Sequence, residues 1–264
     1  MKKLLVLSMV LAMLFTVSGA LAAPANRLEK IKADGKLVVA TSPDYAPYEF
    51  LDNDGNVVGA DMDLAKFIAA ELGVELEMQA MDFDTVLAAI TTGKVDLALA
   101  GLTPNSERAE FMDFTDVYYN DGSQVILILK ENAETLKTLA DFSGKAVAAQ
   151  NGTLQLELVT SQLPEAKLTT IVKIPDAILM LQSKKVAGVA LASVVAEQYL
   201  ANYPNLVLCE TPFDHVAEGV AGAVVKGETE LLEAVNAALL KVIEGKMYDE
   251  WIFAANELNS SLSQ

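Results

Sequence analysis

From Gly35 onward, short apolar runs alternate with amphipathic stretches. Leu37-Val38-Val39-Ala40 predicts a buried strand, and Ser42-Pro43-Asp44 the loop that leaves it. Asp52-Asn53-Asp54-Gly55 predicts a turn between two extended pieces. Asp61 is placed to cap a helix running to Leu72, with Leu64, Phe67, Ile68 and Leu72 on one face and Gly73 as its stop. Val74, Leu76 and Met78 alternate as a strand, Val86, Leu87 and Ile90 line a second helix ending at Gly93, and Val95, Leu97 and Leu99 predict a strand that reaches Gly101. This βαβαβ order implies a parallel sheet covered by helices.

The same grammar then repeats. Val125 to Leu129 and Lys145 to Ala149 read as strands, Asn151-Gly152-Thr153 opens a helix, and Ala177 to Gln182 reads as another. Val186 to Ala192 is extended, Ser193 is placed to cap a helix to Tyr199, and Leu206 to Leu208 and Val220 to Val225 predict further strands. Leu232, Val235, Leu239 and Val242 form the core stripe of a long helix near the C-terminus. The prediction is an α/β chain with two Rossmann-like lobes. No Pro- or Gly-rich linker separates them, so strands are expected to cross directly from one lobe to the other.

Composition narrows the function. The chain has 264 residues, 52% of them hydrophobic, and 36 acidic against 19 basic side chains. The apolar fraction excludes a disordered acidic chain, and the net charge of -17 argues against nucleic acid or an anionic membrane as partner. One Cys and one His exclude a disulfide framework and argue against a zinc site or a Ser-His relay, so no cofactor or metal is expected. Some of the hydrophobicity belongs to the first 22 residues. Lys2 and Lys3 precede an apolar run from Leu4 to Val17, and Ala20 and Ala22 give the small-x-small pattern of a signal-peptidase site. The run is shorter than a membrane-spanning helix requires. No Cys near the cleavage site is available to carry a lipid anchor. Residues 1–22 are therefore expected to be a cleavable signal peptide, leaving a soluble periplasmic protein that is not a lipoprotein.

With the elements placed, the sequence resembles the periplasmic solute-binding proteins of ABC importers, in the polar amino-acid-binding family. The resemblance is carried by residues 40–50 (ATSPDYAPYEF), 59–65 (GADMDLA), Met81-Asp82-Phe83-Asp84, Gly93-Lys94-Val95-Asp96, and Gly101-Leu102-Thr103 followed by Glu107-Arg108. Phe114-Thr115-Asp116-Val117-Tyr118-Tyr119 and Gln150-Asn151-Gly152-Thr153 complete an ordered set that covers nearly all the mature chain. It implies the type II periplasmic-binding-protein fold, a Venus flytrap of two lobes joined by two crossover strands. Lobe 1 is expected at 27–121 and 221–257, lobe 2 at 122–220, and a flexible tail at 258–264.

An Arg next to Glu107 in a polar stretch reads by itself as a solvated surface residue. The resemblance implies instead that Arg108 grips the ligand's α-carboxylate, since a guanidinium offers two parallel charge-assisted hydrogen bonds that an ammonium cannot reproduce. Thr103 would assist through its hydroxyl, and Gly101 would turn backbone groups toward the ligand. Thr153 is at once a plain N-cap and the start of a helix whose free N–H groups suit an anion. By resemblance it supports the same carboxylate from the other lobe. Tyr45 and Phe83 match positions flanking the ligand side chain, where aromatic faces suit a planar or cationic group. Ser42 stands where binders of basic amino acids often carry Asp.

The sharpest departure lies at residues 186–193 (VAGVALAS), where the family pattern reads roughly Val-Asp-Ala-Val-Val-Val-Asp-Ser. Its second Asp takes the ligand's α-ammonium, and Ala192 has no group to do so. An unpaired buried ammonium costs several kcal/mol. Either another carboxylate substitutes, with Asp44, Asp121, Glu157 and Asp214 as candidates, or the ligand is not an ordinary α-amino acid. His215, near the second crossover, Cys209 after an apolar run, and Trp251 one turn after Met247 and Tyr248 read as structural residues. The expected function is a monomeric, non-enzymatic binder that captures a small carboxylate-bearing solute and delivers it to an ABC permease. One rival is a cyclohexadienyl-dehydratase-like enzyme with Glu157 or Glu49 as general acid. The other is the sensor module of a receptor.

Overall fold

A computed structural model of the chain describes residues 25–216 and 218–262, so the expected signal peptide lies outside the described residues. Helix α1 (Arg27–Asp34) leads into β1 (Lys36–Thr41). A hairpin of β2 (Phe50–Leu51) and β3 (Val57–Val58) precedes α2 (Ala60–Leu72), β4 (Glu75–Ala80), α3 (Phe83–Thr91) and β5 (Leu97–Ala98). Strand β1 runs parallel to both β4 and β5 and lies between them, as the βαβαβ reading requires. Its apolar run is explained by helices on both faces: Leu37 and Val39 join one core with Leu64 and Ile68 of α2, while Ala40 faces Val86 and Ile90 of α3.

After β6 (Met112–Phe114) the chain crosses to a second sheet. There β7 (Gln124–Leu129), β8 (Ala146–Gln150), α4 (Leu154–Gln162), β9 (Lys167–Ile171), α5 (Ile174–Gln182), β10 (Gly188–Ala192), α6 (Ser193–Asn202) and β11 (Leu206–Leu208) follow in turn. It then returns to add β12 (Ala223–Val225) to the first sheet and closes with α7 (Thr229–Glu244) and α8 (Met247–Leu262). The two five-stranded sheets have orders β4-β1-β5-β12-β6 and β11-β7-β10-β8-β9. This is the bilobal α/β fold expected from the sequence.

The two crossings are bonded to each other. Tyr118 N–H donates to Val220 O at 2.9 Å and Val220 N–H to Tyr119 O at 2.8 Å. Gly222 N–H reaches the Thr115 hydroxyl at 2.8 Å. Gly219 makes the turn possible: its φ is +82°, and a Cβ there would sit 2.6 Å from Tyr119 O. Because Val220 is spent on this bridge, the last sheet strand starts at Ala223, three residues later than the sequence predicts.

Other boundaries moved for identifiable reasons. Asp61 does not cap α2; Gly59 holds the cap position, and Asp61 turns inward, fully buried, to accept bonds from other elements. Ser193 opens α6 as its first residue, and its hydroxyl donates to Asp121 O. In α7 the buried stripe is Leu231, Val235, Ala238, Leu239 and Val242, with Leu232 only partly buried. The tail expected from 258 is helical to Leu262, tied at Asn259 to Gln198 of α6 at 3.2 Å.

Candidate functional site

A cavity of about 20 Å³ lies between the lobes, and seven of the eight predicted site residues line it. Ser42 and Tyr45 follow β1, Gly101 and Thr103 follow β5, Phe83 opens α3, and Arg108 begins a short 3-10 turn. Thr153 comes from the opposite side, after β8. These loops leave the carboxyl ends of parallel strands, where open α/β sheets bind ligands. The eighth residue, Ala192, ends β10 outside the lining, with its N–H 3.4 Å from the Tyr45 hydroxyl.

Arg108 is buried, with 8% of its surface exposed. Its Nη1 donates to Thr103 O and its Nη2 to Gly152 O, both at 2.8 Å, so the guanidinium spans the cleft. It also lies 5.7 Å from the centre of the Phe83 ring. Thr103 meets it through its backbone carbonyl. Burial lowers the Arg108 pKa, opposed by the charges of Glu157 and Glu107. Among the described residues no carboxylate lies within 4 Å of it to form an ion pair.

Thr153 is the N-cap of α4: its hydroxyl accepts from Leu156 N–H at 3.3 Å and donates to Gln150 O at 2.7 Å. Gly101 has φ +56°, and a Cβ on it would meet the Tyr45 ring at 2.9 Å. The reason for glycine is therefore tight packing under Tyr45 as well as the left-handed turn. Tyr45 itself stacks on Tyr48, with centroids 5.8 Å apart and planes at 20°.

Among the four carboxylates considered as substitutes for the missing Asp, Asp44 alone lines the cavity. It accepts from the Ser42 hydroxyl at 2.9 Å and, across the cleft, from Gln150 Nε2 at 3.0 Å and Ile174 N–H at 2.8 Å. Burial raises its pKa, countered by those donors and by the charge of Lys173. Asp121 is buried behind the lining and linked to it by a relay, Gln124 Nε2 to Asp121 at 3.2 Å and Gln155 Nε2 to Gln124 at 2.6 Å. Glu157 and Asp214 are outside the cavity, Asp214 exposed and bonded to Gln162.

Gln150 and Gln155 line the cavity and were missed as site residues. Gln150 had a usable signal, since it is the polar residue that ends the apolar strand β8, as Ser42 is a polar residue directly after β1; Gln155 lies within the first turn of α4, where only the helix direction reveals which way it faces. Neither acid considered as a proton donor for the enzymatic rival reaches the cavity, Glu49 being sealed in lobe 1. His215, Cys209 and Trp251 also lie away from the lining; Trp251 packs on Phe67 with ring centroids 6.1 Å apart, and Cys209 is buried.

The sequence profile of the bacterial extracellular solute-binding proteins, family 3, matches residues 37–253. The chain belongs to this family. It is 33% identical over 206 residues, 77% of this chain and 79% of the relative, to the arginine-binding extracellular protein ArtP of Bacillus subtilis (strain 168). Among solved structures, an amino acid ABC transporter substrate-binding protein of Streptococcus pneumoniae bound to L-arginine superposes with a TM-score of 0.83. That pair is 39% identical, covering 87% of this chain and 97% of the other. The ancestral amino-acid-binding protein AncCDT-1, a precursor of cyclohexadienyl dehydratase, gives a TM-score of 0.78 at 32% identity, covering 91% and 100%. Among the described residues no helix is long and apolar enough to cross a membrane.

Proposed function

We propose that this solute-binding protein captures an amino acid with a cationic side chain, of the arginine type, by closing its lobes, and hands it to an ABC permease. The reading rests on charge complementarity in the cavity. Its wall carries a buried cation, Arg108, and a half-buried carboxylate, Asp44, neither of which is ion-paired within the described residues. Burying an unpaired charge costs several kcal/mol, and a ligand bearing a carboxylate and a cation offsets both costs at once. Arg108 takes the carboxylate: two of its five N–H groups are used on carbonyls, leaving three. Asp44 takes the ligand's α-ammonium in place of the residue that Ala192 lacks, and the ring faces of Tyr45 and Phe83 suit its cationic side chain. Tyr45 and Phe83 flank the ligand, Ser42, Gly101 and Thr103 shape the wall, and Thr153 presents the α4 terminus from lobe 2.

A cavity of about 20 Å³ holds roughly one water, so an amino acid enters only when the lobes part. Lobe 1 (27–121 and 221–257) and lobe 2 (122–220) are the moving bodies, supported by the membership of the two sheets. Binding to the open form followed by closure onto both charges stabilises the closed state by differential affinity. The protein acts as a periplasmic monomer freed by cleavage after residue 22, without a lipid anchor, and performs no reaction. Calorimetric titration with L-arginine, L-histidine and L-glutamine tests the reading. L-arginine is expected to bind tightest, and failure of every amino acid with a cationic side chain to bind overturns it.

A further inference from the structure

Beneath the cavity, in the core of lobe 1, two carboxyl groups meet. Glu49 and Asp61 are both fully buried, and their carboxyl groups lie close enough that each acts on the other's charge. Asp61 is surrounded by donors: its Oδ1 accepts from the hydroxyls of Tyr118 at 2.8 Å and Tyr248 at 2.6 Å, and its Oδ2 from Gly101 N–H at 3.0 Å. Glu49 has none; no amide, hydroxyl or cationic group among the described residues reaches either oxygen. Two carboxylates cannot hydrogen-bond without a proton between them, and each would repel the other in a medium of low dielectric. The donors around Asp61 favour its charged form, so the proton resides on Glu49.

We infer that Glu49 is a permanently protonated carboxylic acid at neutral pH, which donates to the Asp61 carboxylate and thereby positions Gly101, a wall residue of the ligand cavity. Through Asp61 the same proton ties Tyr118, on the first crossover, and Tyr248 of α8 to that wall. The other ionisable groups facing Glu49 are Asp44, Tyr45 and Tyr118, of which Asp44 also disfavours a charge on it. Burial first, then the Asp61 and Asp44 charges, hold the Glu49 pKa well above its ordinary value of 4.5. This inference does not depend on which solute the cleft takes.

The sign of the linkage makes the test sharp. A carboxyl that binds its proton more tightly folded than unfolded loses stability for the protein as pH rises from its ordinary value toward the raised one. Glu49→Gln keeps a donor to Asp61 and removes the titration. Its melting temperature is expected to match wild type near pH 4.5 and to gain on it steadily toward pH 8. Infrared spectra of the wild type at pH 7 are expected to show a protonated carboxyl band that the variant lacks. A Glu49→Gln protein that fails to fold, or is less stable than wild type at neutral pH, overturns the inference. So does a wild-type spectrum without that band.

Discussion

Arg108 gives the most decisive perturbation, because replacement by Ala and by Lys separates charge from geometry. On the proposed function, Arg108→Ala removes the cation assigned to the ligand carboxylate and leaves that carboxylate buried without a partner. Truncating one side of a buried, hydrogen-bonded charge pair costs about 2–5 kcal/mol, which at about 1.4 kcal/mol per tenfold is roughly thirtyfold to several-thousandfold in affinity. The unliganded protein should suffer far less. The two bonds to Thr103 O and Gly152 O contribute about 1.5–3 kcal/mol each, but the buried guanidinium carries a desolvation cost of similar size. The melting temperature without ligand is therefore expected to move by only a few degrees. Arg108→Lys keeps the charge, yet an ammonium has three donors and no planar fork. It cannot serve both carbonyls and a bidentate carboxylate, so about 1.5–3 kcal/mol, roughly ten- to a hundredfold, should still be lost. Isothermal calorimetry with L-arginine, paired with thermal melts of the unliganded proteins, reads both quantities. An Arg108→Ala protein that binds within threefold of wild type refutes the carboxylate clamp. Full affinity in Arg108→Lys refutes the argument from geometry alone.

Three other outcomes are expected. Asp44→Asn should weaken L-arginine by about 2 kcal/mol or more, roughly thirtyfold, and wild-type affinity should fall as pH drops through the raised Asp44 pKa, whereas the variant should be flat over that range; matching calorimetric pH profiles would remove Asp44 from the site. Gly101→Ala places a Cβ 2.9 Å from the Tyr45 ring at φ +56°, and thermal melts should show about 1–3 kcal/mol of destabilisation together with weaker ligand binding. Intact-mass measurement of the exported protein should give a chain beginning at Ala23; a start at Met1 or a lipid-modified terminus contradicts the assigned processing.

The order of elements was legible in the chain because strand and helix periodicities are local properties. Leu37 to Ala40, the α2 stripe and the Gly73 stop each declare themselves within a dozen residues. The cavity wall was legible only through the resemblance, since Arg108 beside Glu107 carries no local sign of burial. Whether a capping-type residue caps depends on what lies beside it in space. Asp61 points inward because Gly101, Tyr118 and Tyr248, 40, 57 and 187 residues away, all bring it hydrogens. The same holds for the missing ammonium partner. Ala192 announced a lost charge, and four carboxylates were equally eligible until the fold set Asp44 on the wall against Gln150 and the start of α5. Sequence by itself determined the two α/β units, the acidic surface and the absence of the expected Asp, all of which are properties of residue type and short-range pattern. Only the tertiary structure decided which charges face one another and where Glu49 finds its partner, because burial and electrostatic pairing arise between segments far apart in the chain.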